Sequence, residues 1–369
     1  MATPKGITVA VAMSGGVDSS VAAVLLQKQG YRVVGLTMQL WDYQHVGGNI
    51  YRETACCSLG SINDARAVCQ KFGIPHYVVD LRRQFESIVI ENFIGEYLKG
   101  RTPNPCIVCN IRIKWGSLRQ KAHEIGADYF ATGHYARVQF DSQINRYLLL
   151  KGCDSTKDQS YALWGLSQDD LSSTLFPVGE LRKEQVREIA RSLKLKTAER
   201  SESQEICFIP DDNYARFIRQ RVPEVEKKIG AGEIVDTAGR VLGQHRGYPF
   251  YTIGQRRGLR VAVGKPVYVV EIIPEENRLV VAQKEELYRR GLIATQVNWI
   301  ALEKLETPMR AFVKIRYKDP GFFAWLYPQS QIEVRIEFEK PQRAVTPGQS
   351  VVFYQQDVVL GGGVIESSF

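Results

Sequence analysis

The sequence predicts three parts. An α/β domain on a parallel sheet occupies residues 1–209, a small mostly-β central domain 210–280, and a β-barrel 281–369. Three observations lead there. An apolar run, Ile7 to Ala12, passes through Met13-Ser14-Gly15-Gly16-Val17-Asp18-Ser19-Ser20 into a helix-forming stretch. Strand-like and helix-like segments then alternate as far as His134, the pattern of a parallel sheet covered on both faces, with ligands at the carboxyl ends of its strands. From about residue 210 the pattern changes to short strands separated by turn residues, which suits a small β module followed by a barrel.

The elements follow in order. Ile7–Ala12 reads as a buried strand, and Val21–Leu26 as a helix that ends at Gly30, a natural C′ residue. Tyr31–Met38 is a second strand, and residues 42–60, polar and glycine-bearing, read as a loop. Ser61–Phe72 is a helix with Ser61 as its N-cap and Asp64 three residues on. Tyr77–Val79 is a third strand. Gln84–Leu98 places Phe85, Ile88, Val89, Phe93 and Tyr97 at helical spacing. Arg101-Thr102-Pro103-Asn104-Pro105 breaks the pattern, because two prolines oppose helix there. Asn110–Ile125 resumes as helix, and Ala127–His134 is a strand. Beyond residue 210 come a short helix, Asn213–Arg221, and a glycine-rich, strand-like region, Gly230–Gly264. Strands are then expected at Val267–Ile273, Arg278–Ala282, Arg310–Tyr317, Ala324–Tyr327, Ile332–Glu337 and Val351–Tyr354.

Composition narrows the class. With 44% hydrophobic and 24% charged residues the chain is an ordinary globular protein, and no stretch approaches the ~20 apolar residues of a membrane span. The N-terminal residues lack the apolar core of a signal peptide, so a cytoplasmic location is expected. Seven cysteines, an odd number spread through a long chain, argue against a secreted disulfide framework. The net charge of +8 divides evenly at residue 209, with 25 Lys and Arg against 21 Asp and Glu before it and 23 against 19 after it. That spread suits a polyanion lying across several domains.

The loop after the first strand is where the chemistry begins. Strand, glycine-rich turn and helix aim backbone N–H groups and a helix dipole at an anion. Gly15 and Gly16 allow close approach, and Ser14 and Ser19 add hydroxyls. No lysine lies inside the loop, so it is not the GxxxxGK[ST] loop, and its glycine spacing does not fit GxGxxG. The SGGxDS pattern resembles the pyrophosphate-binding loop of ATP pyrophosphatases, which split ATP into AMP and pyrophosphate.

Cysteines supply the second theme. Cys106-Ile107-Val108-Cys109 stands just before the helix expected near Asn110, where a thiolate is stabilised, and Cys207 lies in Ser203-Gln204-Glu205-Ile206-Cys207-Phe208-Ile209. Three readings compete for Cys106, Cys109 and Cys207: a nucleophile with a persulfide carrier, a three-cysteine metal or iron–sulfur site, or a redox disulfide pair. A structural zinc site needs a fourth ligand and usually a second CxxC, which the chain lacks. Cys56, Cys57, Cys69 and Cys153 read as small buried hydrophobes. His134, at a strand end, reads as a ligand-facing residue; Arg101 and Lys114 suit solvated charges and phosphate contacts equally.

SGGVDSS, GRTPNPCIVCN, ATGHYARV, KDQSYALWGL, LFPVGELRK, ICFI, YTIGQRRGL and AVTPGQSVVFY together resemble the bacterial tRNA-specific 2-thiouridylases, from about Val9 to Ile365. The resemblance implies a catalytic domain of the adenine-nucleotide α-hydrolase type, a small central domain and a barrel that helps hold tRNA. It implies ATP contacts at Ala12, Met13, Ser14, Gly15, Gly16, Val17, Asp18, Ser19, Met38 and Gly133, with Mg²⁺ neutralising phosphate charge. Asn104, Pro105 and Cys106 match the segment at the target base. His134, Asp158, Gln159, Ser160, Arg316, Tyr317 and Gln349 match tRNA contacts. Cys207 would carry a persulfide from a cysteine-desulfurase relay, with Cys109 as nucleophile; the implied partners are tRNA and that sulfur donor, with neither DNA nor membrane.

One position departs from the pattern. Many members of that family have aspartate where this chain has Cys106. The swap creates a CxxC like that of cluster-binding tRNA thiolases, so an iron–sulfur cluster on Cys106, Cys109 and Cys207 stands as the alternative sulfur chemistry. More remote readings are an adenylating ligase of the same loop superfamily, such as an argininosuccinate or GMP synthetase, and a tRNA-binding module with a vestigial nucleotide fold. The ligases need an amine nucleophile or an ammonia-producing domain, whose signatures are missing. Intact SGGVDSS and the three placed cysteines oppose the binding module.

Overall fold

A computed structural model describes residues 6–41, 59–200 and 206–369. The expected loop at 42–60 therefore falls almost wholly outside the described residues, as do Cys56, Cys57 and Ser203–Glu205. The chain divides into two compact units, the first holding residues 1–89, 106–212 and 356–360, the second 90–105, 213–355 and 361–369.

In the first unit β1 (Thr8–Ala12) leads through the glycine loop into α1 (Val17–Lys28), and β2 (Arg32–Gln39), α2 (Leu59–Phe72) and β3 (His76–Asp80) follow. Val9, Ala10 and Val11 are fully buried, as a central parallel strand requires. Helix α1 begins four residues before the expected Val21, so Asp18, Ser19 and Ser20 lie in its first turn. It ends as expected at Gly30, which has φ +95°. Helix α2 likewise begins before Ser61, which is not its cap but a fully buried residue inside it.

A helical run, α3 (82–98), contains a π-turn at Glu86–Ile90. The inserted residue shifts the buried face, so Ile90 is buried while Ile88 is only half-buried. A second run, α4 (105–124), starts at Pro105, five residues earlier than expected, and is a π-helix from Cys109 to Leu118. Proline opposes helix only in its interior; at the first helical position its missing N–H is no loss. Cys106 and Cys109 are therefore inside the helix, not ahead of it.

Next come β4 (Tyr129–Thr132), the hairpin β5 (Ala136–Asp141) and β6 (Arg146–Lys151), α5 (Gln168–Ser172), β7 (Thr174–Leu175) and α6 (Lys183–Ser192). The parallel sheet runs β3-β2-β1-β4-β7. Strand order reverses between β1 and β4, which pair with Ala12 opposite Thr132. A doubly wound sheet opens its ligand crevice at such a point, beyond the carboxyl ends of the two strands. The loops at 13–19 and 133–134 leave from there.

The second unit carries α7 (Tyr214–Arg221), with Asn213 as a true N-cap, and α8 (Val225–Ile229). Strands β8 (Gly232–Val235), β9 (Val241–His245), β10 (Tyr268–Ile273) and β11 (Arg278–Ala282) form a sheet in the order β10-β11-β8-β9. The remaining strands are β12 (Tyr288–Trp299), β13 (Met309–Lys314), β14 (Phe322–Pro328), β15 (Val334–Arg343), β16 (Ser350–Gln355) and β17 (Val358–Ser368). They run β12-β15-β14-β13-β16-β17 and close through β12 with β17, a six-stranded antiparallel barrel without a free edge.

Candidate active site

The glycine loop is shaped to leave amides open. Gly15 has φ +68°, and a Cβ there would run into the backbone of Ser61. Gly16 is the N-cap of α1 and makes no side-chain cap bond, because the nearby serines are turned to the loop itself. The Ser20 hydroxyl donates to the Gly16 carbonyl at 2.8 Å, Ser19 Oγ donates to the same carbonyl at 3.3 Å, and the Ser14 amide donates to Ser19 Oγ at 3.2 Å. First-turn N–H groups of α1 thus keep their capacity for an anion. Gly133 lies against that turn: a Cβ on it would come within 2.5 Å of the Ser19 nitrogen. Met38, expected to touch nucleotide, is a buried side chain of β2, and Met13 and Val17 are buried with it.

The cation missing from the loop comes from elsewhere in the chain. Lys183, at the start of α6, donates to both carboxylate oxygens of Asp18, at 2.7 and 2.8 Å. The Tyr135 hydroxyl adds a third bond to that carboxylate at 2.7 Å. The Lys183 side chain is only 10% exposed. Sequence reading missed it; the closing lysine of LFPVGELRK was its only trace. Arg200 clamps the other side of the loop. Its guanidinium donates to the Gly15 carbonyl at 2.9 Å, to Asp64, and to the Ser61 hydroxyl at 2.9 Å.

His134 is half-buried at the end of β4. Thr132 Oγ1 lies 2.7 Å from its Nδ1 and the Lys114 ammonium 3.5 Å from its Nε2. That pairing fits a neutral ring with the proton on Nδ1. Burial, with the Lys114 charge added, holds its pKa well below the usual histidine range. Lys114 is therefore a neighbour of His134 and not simply a solvated charge.

The expected tRNA residues divide. Asp158 accepts from the Gly152 amide and from the amide and hydroxyl of Ser160, and Ser160 is fully buried. Gln159 exchanges two bonds with the Tyr135 backbone. These three side chains are engaged in holding their own turn. In the second unit Gln349 donates to the carbonyls of Thr102 and Pro103 at 2.9 and 3.1 Å, anchoring the segment that carries Asn104 and Pro105. Arg101 binds Glu96 and Glu366 at 2.7 and 2.8 Å, so it is neither a solvated charge nor open to phosphate. Arg316 donates to the Arg343 carbonyl, and Tyr317 is exposed on the surface.

Cys106 is exposed, and Cys109 and Cys207 are partly exposed; none is in a disulfide. Among the described residues no three His, Cys, Asp or Glu side chains gather as a metal site. Cys69 is buried as expected, and burial pushes its pKa up to about 12. Cys153 is not. It is exposed, because it sits in the turn after β6, and its thiol donates to Glu180 at 3.3 Å.

A parallel sheet with an anion-receptive glycine loop at its switch point defines a nucleotide-binding α/β protein. Residues 7–211 match the family described as tRNA methyl transferase HUP domain, 216–283 its PRC-barrel domain, and 289–365 an aminomethyltransferase beta-barrel domain. The tRNA-specific 2-thiouridylase MnmA of Salinibacter ruber is 50% identical over 358 residues, 97% of this chain and 94% of its own length. Its namesake from Carboxydothermus hydrogenoformans is 52% identical over 359 residues, 97% of each. The crystal structure of a 4-thiouridine synthetase–RNA complex with bound ATP has a TM-score of 0.35 at 16% identity, covering 59% of this chain and 51% of that one. So slight a likeness carries no argument. The domain descriptions name methyl transfer and the relatives name thiolation; identity at half the positions along nearly the whole chain decides between them. The chain belongs to the tRNA-specific 2-thiouridylase family, a family of sulfurtransferases.

Proposed function

We propose that this protein replaces the uracil C2 oxygen of a wobble uridine in tRNA by sulfur, using ATP to activate that oxygen. The carbonyl oxygen is a poor leaving group because amide resonance must be broken to expel it. Attack of O2 on the α-phosphorus of ATP forms an O–P bond. The electron pair of the broken P–O bond leaves with pyrophosphate, and the N3 proton passes to water. The oxygen then departs as AMP. The glycine loop, with Ser14, Ser19 and the amides of α1, holds the β- and γ-phosphates. Mg²⁺ arrives with ATP as part of the substrate.

Sulfur comes on Cys207 as a persulfide loaded by a cysteine-desulfurase relay. Its terminal sulfur attacks C2 and AMP leaves. The Cys109 thiolate then attacks Cys207 Sγ and breaks the S–S bond, which releases 2-thiouridine and leaves a disulfide for an external thiol to reduce. Cys106, with Asn104 and Pro105, lies beside the target base. His134, held by Thr132 and Lys114, keeps a neutral ring that does not titrate at neutral pH.

The observation that carries this reading is the approach of Gly133 onto the uncapped first turn of α1, at the switch point of the sheet. Chromatography of the nucleotide products tests it. AMP and pyrophosphate, formed only when substrate tRNA is present, are expected. ADP as the main product would rule out this assignment, because the loop lacks the lysine of γ-phosphate transfer.

A further inference from the structure

We infer that Arg200 is a positioning residue which sets the polarity of the nucleotide loop, keeping its amide N–H groups and not its carbonyls toward the phosphates. The inference rests on the reading of residues 14–19 as the pyrophosphate site.

Two adjacent glycines give the Gly15–Gly16 peptide freedom to rotate. Its carbonyl and its N–H point in opposite directions, so a flip would exchange an anion's donor for a repelling oxygen. Neither glycine has a side chain to resist the turn. Arg200 donates to the Gly15 carbonyl at 2.9 Å, and a carbonyl held there fixes the opposite direction of the Gly16 N–H. The same guanidinium is fixed by Asp64 and by the Ser61 hydroxyl, both on α2. Its own backbone is fixed in turn: Arg187 on α6 donates to the carbonyls of Ala198 and Arg200, at 2.6 and 3.3 Å. A planar fork with several donors can serve three acceptors at fixed angles, whereas a lysine ammonium offers a point charge without that geometry.

The test measures calorimetric affinities of the full-length protein for inorganic pyrophosphate, ATP and adenosine, in wild type, Arg200→Lys, Arg200→Gln and Asp64→Asn. Pyrophosphate and ATP should bind about tenfold more weakly to both Arg200 variants, because one charge-assisted donor is misdirected, while adenosine affinity stays unchanged. Asp64→Asn keeps the arginine but loosens it, and should lose about threefold for pyrophosphate. It carries the test with Arg200→Lys should Arg200→Gln not fold, as judged by circular dichroism. Wild-type pyrophosphate affinity in Arg200→Lys would show that charge suffices and would overturn the inference. So would a parallel loss of adenosine affinity, the mark of a general structural role. A wild-type protein that binds ATP but not pyrophosphate would overturn the reading of the loop itself, and the role of Arg200 with it.

Discussion

Lys183 shows what a single residue does for this loop. A carboxylate in the first turn of α1 favours the helix dipole but repels a triphosphate, and Lys183 with Tyr135 cancels it with three short bonds. Removing the lysine leaves a charge that is largely buried and has lost its cation. Lys183→Met should therefore lower stability by about 2–3 kcal/mol, at the low end for buried pairs because the Asp18 side chain is 28% exposed. The double variant Asp18→Asn with Lys183→Met should recover most of that loss, since no charge is stranded. Urea denaturation of the three proteins checks this; a single variant as stable as wild type would mean that the pair is not coupled. Nothing in the sequence announced the pair, because its members stand 165 positions apart. The loop residues themselves were legible, since strand, glycines and helix are local.

At the scale of elements, what local pattern could show was read, and what long-range packing decides was not. Segments β10, β11 and β14 lie where alternation and turns placed them, and Asn213 caps α7 as its side chain suggests. Strand β17 was missed because Gly361-Gly362-Gly363 reads as a loop. Those glycines instead let β12 come close: a Cβ on Gly361 would strike the Asn298 carbonyl, and one on Gly363 would lie 2.9 Å from that of Thr295. The hairpin β5–β6 was also unread, its turn closing at Asn145 with φ +52° where no glycine marks it. The early start of α4 followed from Pro105, a residue taken as a breaker. The proline segment before it is held chiefly from afar, by Gln349 and by the Pro347 carbonyl, which accepts from the Thr102 amide. Gln349→Ala removes two hydrogen bonds to backbone carbonyls. It should cost about 1–2 kcal/mol and slow tRNA thiolation severalfold while leaving ATP affinity unchanged. Equal losses in ATP and tRNA affinity would assign Gln349 to something other than this segment.

For the whole molecule, acid should act through histidine before carboxylates. His76 and His134 in the first unit and His245 in the second are all held below the ordinary value of 6.5, each mainly by burial. As pH falls through 6.5 the unfolded chain takes up more protons at these rings than the folded chain does. The unfolded state then binds more protons, so stability is full above that pH and declines below it. Stability is therefore expected to fall on acidification below pH 6.5, and His76→Gln should shrink that loss. Thermal melts across that range check the sign; a melting temperature that rises on acidification would contradict it.

No helix among the described residues is long and apolar enough to cross a membrane, and the charge of +8 is shared along the chain. The distributed charge accords with a nucleic-acid substrate, but neither observation bears on the order of chemical steps, on which the proposed function turns. The most direct measurement of that order uses Cys207→Ser, substrate tRNA and ATP labelled at the α-phosphate. Activation before sulfur transfer predicts that label accumulates on the tRNA as an adenylate, with pyrophosphate released and no 2-thiouridine formed. TRNA that stays unlabelled in the variant, under conditions in which wild type turns over, would contradict adenylation as the step that precedes sulfur.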